Sequence, residues 1–129
     1  MEEFTIGTGG RVAFVDITSR VQEAVSRLGV ADGAVLVHVP HTTAGVTINE
    51  GADPDVIRDL EASLARIVPD HAGYRHAEGN SPAHVKSTLV GCSAVVPVSG
   101  GRLALGTWQT IWFCEFDGPR TRRVRVQRL

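Results

Sequence analysis

Hydrophobic and polar positions change their spacing several times along the chain, and each change predicts a new element. Two apolar segments, EFTIGT and RVAFVDI, flank Gly9-Gly10 and predict an N-terminal β-hairpin. Apolar residues then recur at helical spacing between a predicted N-cap at Thr18 and a stop at Gly29. A short apolar strand, GAVLVHVP, follows. The first third of the chain is therefore predicted to contain two strands, a helix and a further strand.

Two helix starts divide the middle of the chain. Asp53-Pro54 places a capping carboxylate before a proline at the first helical position. Ser81-Pro82 repeats the pattern, with Ser81 as the predicted N-cap of a helix that runs through Leu89. Strands are predicted for HTTAGVTINE before these helices and for SAVVPV, RLALGTWQTIWFCEF and RRVRVQRL after them. Residues 1–129 are therefore predicted to form a single α+β domain with about three helices and a largely antiparallel sheet.

Composition narrows the class of protein. A chain of 129 residues with 43% hydrophobic and 21% charged residues is typical of one globular domain. No apolar run reaches the roughly 18 residues of a membrane helix, and MEEFTIGTGG lacks the regions of a signal peptide. We therefore expect a cytoplasmic protein with no membrane partner, and the net charge of −1 argues against a nucleic-acid partner. Cys92 and Cys114 lie in apolar runs and are predicted to be buried thiols.

Polar side chains alternate along HTTAGVTINE. Its odd positions form a stripe on one face of the predicted strand: His41, Thr43, Gly45, Thr47 and Asn49. The stripe either faces solvent or lines a polar pocket. The ends of a straight strand of this length lie about 26 Å apart. His41 and Asn49 therefore contact the same small ligand only if Gly45 bends the strand, and otherwise they serve different sites. In a symmetric oligomer the two ends can meet neighbours from different subunits.

The stretch HAEGNSPAH, residues 76–84, has a histidine at each end. With Ser81 as the N-cap, His84 would lie at the third helical position, near the positive end of the helix dipole. Such an end binds phosphate or carboxylate groups and keeps a nearby imidazole neutral, the form that binds metals or accepts protons. Gly79 allows the loop to bring His76 back towards His84. The spacing is not a known zinc pattern, so a polar turn with two surface histidines stays the alternative.

Two further segments carry side chains suited to binding. GTWQTIWF places Trp108 and Trp112 on one strand face, which favours a core or a subunit interface. Thr107 and Gln109 lie on the other face, where they can reach a pocket. Arginines alternate with valines in the C-terminal RRVRVQRL, which favours a solvated edge strand, with phosphate binding as the other interpretation. The sequence has no P-loop, dinucleotide-binding, serine-hydrolase or HExxH motif.

Five segments follow one another in an order and spacing that one known family shares: HTTAGVTINE, DPDVIRDL, HAEGNSPAHVKSTLVG, GGRLALGTWQTIW and EFDGPRTRRV. Over roughly residues 38–126 the chain therefore resembles the YjbQ-type family, uncharacterised protein family 0047. The resemblance implies a compact α+β domain that assembles as a homotrimer. It also implies a secondary thiamine-phosphate synthase activity, which joins hydroxymethylpyrimidine pyrophosphate to thiazole phosphate and releases pyrophosphate.

The resemblance further implies a clustered histidine site. Its members here are His41, His76 and His84, both as catalytic residues and as ligands of a divalent metal, zinc or magnesium. Glu50 is a further catalytic candidate in the matching segments. The candidates for binding substrate and phosphate are Asn49, Lys86, Arg102, Thr107 and Gln109. These residue types suit the reaction, since departing pyrophosphate needs cationic or N–H donors and histidine acts as an acid or base near neutral pH.

Two other functions fit the same residues. The first is a metal-dependent hydrolase or lyase that acts on another small substrate. The second is a non-enzymatic trimer that binds a small ligand. The expected partner in the enzymatic cases is a small phosphorylated molecule.

Overall fold

The elements of the chain alternate between short strands and helices, in a computed structural model that describes residues 1–129. The strands are β1 (Glu2–Gly7), β2 (Ala13–Asp16), β3 (Gly33–His38), β4 (Ala44–Glu50), β5 (Ser93–Ser99), β6 (Arg102–Leu103), β7 (Gln109–Glu115) and β8 (Thr121–Arg128). The helices are α1 (Thr18–Leu28), α2 (Pro54–Ile67) and α3 (Ser81–Val90). The predicted α+β class and the three helices are confirmed.

The strands form two sheets in which every pair is antiparallel. One sheet has the order β1-β8-β3-β5-β6 and the other the order β2-β7-β4. The predicted N-terminal hairpin is wrong, because β1 pairs with β8 and β2 pairs with β7. At Gly9-Gly10 the chain crosses from one sheet to the other. A glycine pair marks where a chain turns, but it does not decide which strands pair. That depends on the side chains that pack together in the folded protein.

The inward faces of both sheets and one face of α1 share a core of 18 buried hydrophobic residues. A smaller cluster lies on the other face of the three-stranded sheet, beneath α2 and α3, and includes Ala83 and Phe116. No residue of α2 is buried, so this helix covers the sheet only in part. None of the three helices is both long and apolar enough to span a membrane.

Close backbone packing fixes α3 against β4. A Cβ atom at Gly45 would lie 2.5 Å from the carbonyl oxygen of Gly91, so the contact between β4 and the end of α3 requires glycine. Ser87 adds a hydrogen bond from its Oγ to the carbonyl oxygen of Ala44, at 2.6 Å. The helix is thereby held at a fixed position beside the chain segment that enters β4.

The predicted N-caps of α1 and α3 are each one residue too late. Ile17 is the N-cap of α1 in place of Thr18, whose hydroxyl accepts an N–H from β7 instead. Asn80 is the N-cap of α3 in place of Ser81. His84 therefore lies one position further into its helix than predicted.

Three local predictions fail because tertiary contacts override the local pattern. Trp108 lies in the turn before β7 with 65% of its surface exposed, so it does not share a strand face with the half-buried Trp112. The arginine-rich β8 is not an edge strand, since it lies between β1 and β3. Cys114 is buried as predicted, but Cys92 is exposed because it lies between α3 and β5 rather than within a strand.

Candidate functional site

An open cleft of ≈ 520 Å³ lies beside the start of β4 and the N-terminus of α3. Apart from one proline, every residue that lines it is polar or charged. The lining residues are Pro40, His41, Thr42, Thr43, His76, Glu78, Asn80, His84, Asp117, Arg120 and Arg122. We call this the histidine cleft, because it brings together the three histidines named from the sequence.

The three imidazoles have different surroundings. The rings of His76 and His84 meet edge to face, with their centroids 5.3 Å apart and an interplanar angle of 86°. His76 Nε2 also lies 3.8 Å from an Oε2 atom of Glu78. His41 Nε2 accepts a hydrogen bond of 2.9 Å from the backbone N–H of Arg123. The loop and the helix start thus form a histidine pair, and His41 is fixed separately against β8.

His41 is held in its neutral form. Burial lowers the pKa of the imidazole below its usual range, and the positive charges of Arg122 and Arg123 lower it further. A neutral His41 with Nε2 hydrogen-bonded as an acceptor carries its proton on Nδ1. At neutral pH this residue can therefore donate a hydrogen bond to a ligand, and it carries no charge.

We expect the ring of His41 to titrate below 6.5 when followed by NMR in the intact protein. Arg123→Gln should raise this midpoint, because the variant removes one repelling charge and retains the backbone N–H that bonds the ring. Arg125→Gln is the matched control, since it removes a neighbouring cation on β8 that does not act on His41. A His41 midpoint that is unchanged in Arg123→Gln would contradict the electrostatic explanation.

A buried ion pair supports the floor of the histidine cleft. Glu115 and Arg122 are 0% and 3% exposed. Arg122 donates from Nε to Glu115 Oε1 at 2.9 Å, and from Nη2 to Glu115 Oε2 and to Thr43 Oγ1. Thr8 Oγ1 donates a further hydrogen bond of 2.7 Å to Glu115. Nη1 has no acceptor in the protein, so this oriented guanidinium has one amino group free for a ligand in the cleft.

Glu115 stays ionised despite its position. Burial by itself would raise the pKa of the carboxyl, but hydrogen bonds from Arg122 and Thr8 and from the backbone of Asp117 favour the carboxylate. Together with the charge of Arg122, they hold the pKa below its usual range. Arg122 at the cleft floor is therefore paired with an ionised carboxylate behind it at neutral pH.

A second set of hydrogen-bonded side chains joins the N-terminus of α3 to the rim of the histidine cleft. Asn80 Nδ2 donates to Asp117 Oδ2 at 3.0 Å, and Arg120 Nη2 lies 3.2 Å from the same oxygen. The Oδ1 atom of Asn80 is enclosed and has no hydrogen-bond donor. Buried acceptors normally have a donor, so the α3 end of the cleft contains an acceptor that still lacks one.

The side chains of one chain do not by themselves form a metal site. No group of three or more histidine, cysteine, aspartate or glutamate side chains is placed to hold an ion. The Nε2 atom of His41 already accepts a backbone hydrogen bond, and the neighbouring arginines disfavour a cation at that ring. The divalent zinc or magnesium ion at His41, His76 and His84 stays a prediction.

Four of the other predicted residues lie near the far end of β4. Glu50 pairs with Gln109 of β7, and Asn49 Oδ1 accepts the N–H of Glu50 at 2.7 Å. Gln109 Oε1 accepts the N–H of Gly106 at 2.8 Å, and Thr107 is exposed in the same turn. None of these residues lines the histidine cleft. β4 keeps this group away from His41, as the strand length predicted.

Lys86 and Arg102 lie in two further places. Lys86 lines a second cleft between α2 and the sheet, and Arg102 lines a third beside α1. The residues that the family resemblance grouped as one site therefore occupy four separate regions of the monomer.

The sequence interpretation did not place Asp117, Arg120 and Arg122 in the cleft, and it missed Glu115 behind Arg122. The signal was present in the strand parity, since Arg122 falls in the same alternating set as the buried Val124 and Val126. A charge among inward-facing residues indicates a buried partner. Glu115 lies likewise between the buried Cys114 and Phe116.

Comparison with known proteins gives one consistent result. The family model described as UPF0047 protein YjbQ-like matches residues 2–129. The chain is 48% identical over 128 residues to UPF0047 protein YugU of Bacillus subtilis, covering 98% of this chain and 97% of that protein. An UPF0047 protein of Archaeoglobus fulgidus is 49% identical over 129 residues, with 98% and 99% covered.

Solved structures agree with the sequence comparisons. The crystal structure of an uncharacterised YjbQ/UPF0047 family protein from Clostridium acetobutylicum has a TM-score of 0.97 and 49% identity, with 100% of both chains covered. A conserved hypothetical protein from Thermus thermophilus has a TM-score of 0.93 and 45% identity, also with 100% of both chains covered. The resemblance found in the five segments is thus confirmed, and the chain belongs to the UPF0047, or YjbQ-like, family.

Proposed function

We propose that the histidine cleft binds the phosphate groups of a small substrate and acts on it as a thiamine-phosphate synthase-like transferase. One observation carries the proposal: an almost wholly polar cleft holds three imidazoles above an arginine with one free amino group. Charge-assisted donors of this kind bind phosphate oxygens. A neutral His41 and the histidine pair add groups that can donate or accept a proton.

The cleft residues suit departure of pyrophosphate. In the synthase reaction, the bond between the pyrimidine methylene and the pyrophosphate oxygen breaks, and a bond forms from the methylene carbon to the thiazole nitrogen. Negative charge collects on the departing pyrophosphate. Arg122 Nη1, Arg120 and the Nδ1–H of His41 would stabilise this charge from the cleft floor and rim. His84, on a rigid helix, would donate a proton to the leaving oxygen, with His76 beside it.

The rings of the two substrates need a different surface. Pyrimidine and thiazole rings bind best to apolar side chains, and the histidine cleft has almost none. In our proposal the rings extend beyond the cleft, and the homotrimer supplies the missing wall from a neighbouring subunit. The exposed Val85 and Leu89 lie one turn apart on α3, next to the cleft, and give an apolar patch for such a contact.

The experiment is a direct assay with hydroxymethylpyrimidine pyrophosphate and thiazole phosphate. We expect formation of thiamine phosphate and an equal amount of pyrophosphate. Arg120→Gln should weaken the affinity for inorganic pyrophosphate by about tenfold or more, since a hydrogen bond to a charged group contributes roughly 1.5–3 kcal/mol. Arg128→Gln removes an exposed cation at the end of β8, outside the cleft, and should leave this affinity unchanged.

The outcomes separate the two parts of the proposal. Pyrophosphate binding that depends on Arg120, without formation of thiamine phosphate, would retain the phosphate site and reject the synthase reaction. Absence of pyrophosphate binding, or equal binding by both variants and the wild type, would reject the site itself.

A further inference from the structure

Lys86 is a nearly buried lysine whose ammonium group has no partner in the protein. The residue is 3% exposed on α3. Its ammonium group has no hydrogen-bond acceptor within 3.5 Å and no carboxylate oxygen within 4.0 Å. Arg122 is equally buried but donates to Glu115 and Thr43. The ammonium nitrogen is not among the enclosed side-chain atoms, so it opens into the cleft that Lys86 lines, where an anion from outside the chain can pair with it.

Lys86 lines a cleft of ≈ 390 Å³ that we call the α2 cleft. The cleft shares no lining residue with the histidine cleft. Half of its lining residues are hydrophobic, including Leu64 on the underside of α2 and Phe116 at the base. This volume lies at the lower end of the range for small-molecule sites.

Five charged residues line the α2 cleft, and three of them form ion pairs. Asp70 forms an ion pair with Arg11 at 3.3 Å, and Arg58 pairs with Asp55 at 2.9 Å. Glu61 also lines the cleft, but its carboxylate is not paired with Lys86. Burial lowers the pKa of Lys86, and the charge of Asp70 only partly opposes this change. Lys86 and Glu61 are therefore the two lining charges without a partner, and the three cations and two carboxylates of the lining leave a net charge of +1.

We propose that the α2 cleft is a second binding site, which takes a small monocarboxylate with an apolar tail. The carboxylate would bind Lys86, and the tail would lie along Leu64 and Phe116. One anionic charge matches the single unpaired ammonium, whereas a phosphate dianion would bring excess charge into a half-apolar cleft. The open packing of α2, which has no buried residue, leaves the space for the tail.

The probe is octanoate, with 1-octanol as a neutral molecule of the same chain length. We expect octanoate to bind with a measurable heat and to raise the midpoint of thermal unfolding, and octanol to bind at least about tenfold more weakly. Lys86→Met keeps the length of the side chain and removes the charge. It should reduce octanoate affinity by about tenfold or more.

Two further variants complete the test. Arg66→Met removes an exposed cation of α2 that does not line the cleft, and it should bind octanoate as the wild type does. Ala65→Trp fills the cleft without altering Lys86 and should lose octanoate binding. This variant provides the test if Lys86→Met does not fold. Equal binding of octanoate and octanol, or full octanoate binding by Lys86→Met or Ala65→Trp, would overturn the proposal.

Discussion

We expect the Glu115→Leu variant to lose about 3–5 kcal/mol of unfolding free energy, because it leaves the buried guanidinium of Arg122 without its carboxylate. Both side chains are almost fully enclosed, and Glu115 accepts from Arg122, Thr8 and the backbone of Asp117. A loss of this size is a large part of the 5–15 kcal/mol that stabilises a typical domain. Urea unfolding followed by circular dichroism measures it.

The double variant Glu115→Leu/Arg122→Met separates two explanations of that loss. If the cost comes from the unpaired charge, removal of both charged groups should restore much of the stability. Glu23→Gln is the control, since it breaks an exposed pair with Arg27 at 3.7 Å and should change stability by about 0.5 kcal/mol or less. A double variant no more stable than Glu115→Leu would show that shape, rather than charge, is what Glu115 contributes.

The same pair predicts how stability changes with pH. The pKa of Glu115 is lower in the folded chain than in the unfolded chain. Its contribution is therefore complete above about pH 4.5, the ordinary value, and is lost as the pH falls through the folded pKa. The Glu115→Leu variant should lack this part of the acid transition.

The second large effect is on turnover. His84→Asn should lower kcat of the synthase reaction by about 10²–10⁴-fold, the range for loss of a general acid or base. The affinity for inorganic pyrophosphate should change far less, because Arg120 and Arg122 remain in place. His84 is half-buried on the first turns of α3, where asparagine fits without new contacts to the core.

His71→Asn is the matched control for this variant. His71 lies in the same polar loop region but is exposed and does not line the histidine cleft. It should therefore retain wild-type turnover. A His84→Asn protein that is folded and retains wild-type kcat would remove His84 from the proposed chemistry.

The proposed site shows what sequence spacing could and could not predict. HAEGNSPAH indicated a loop and a helix start that bring His76 towards His84, and the two rings lie 5.3 Å apart. The spacing along HTTAGVTINE separated His41 from Asn49, and the structure places His41 ahead of β4, which begins only at Ala44, and Asn49 near the far end of that strand. Both inferences depend on local geometry, which residue periodicity describes directly.

The sequence pattern did not predict contacts between residues that are distant along the chain. Thr8, Thr43, Glu115 and Arg122 form one buried network although the first and last lie more than a hundred positions apart along the chain. Lys86 is only two residues from His84 in sequence, yet it lines a different cleft, because residues two apart on an α-helix point to nearly opposite faces. Neither arrangement follows from a pattern within one segment.

The sequence by itself determined the α+β class, the three helices and the histidine-bearing loop, because each depends on contacts between near neighbours in the chain. Tertiary structure alone decided that β1 pairs with β8, that Glu115 holds Arg122 at the histidine cleft, and that Lys86 lies apart from it. The physical reason is that strand pairing and burial depend on which surfaces from distant parts of the chain pack together and exclude water. Local alternation predicts which face of a strand is buried, but it does not predict which strand lies beside it.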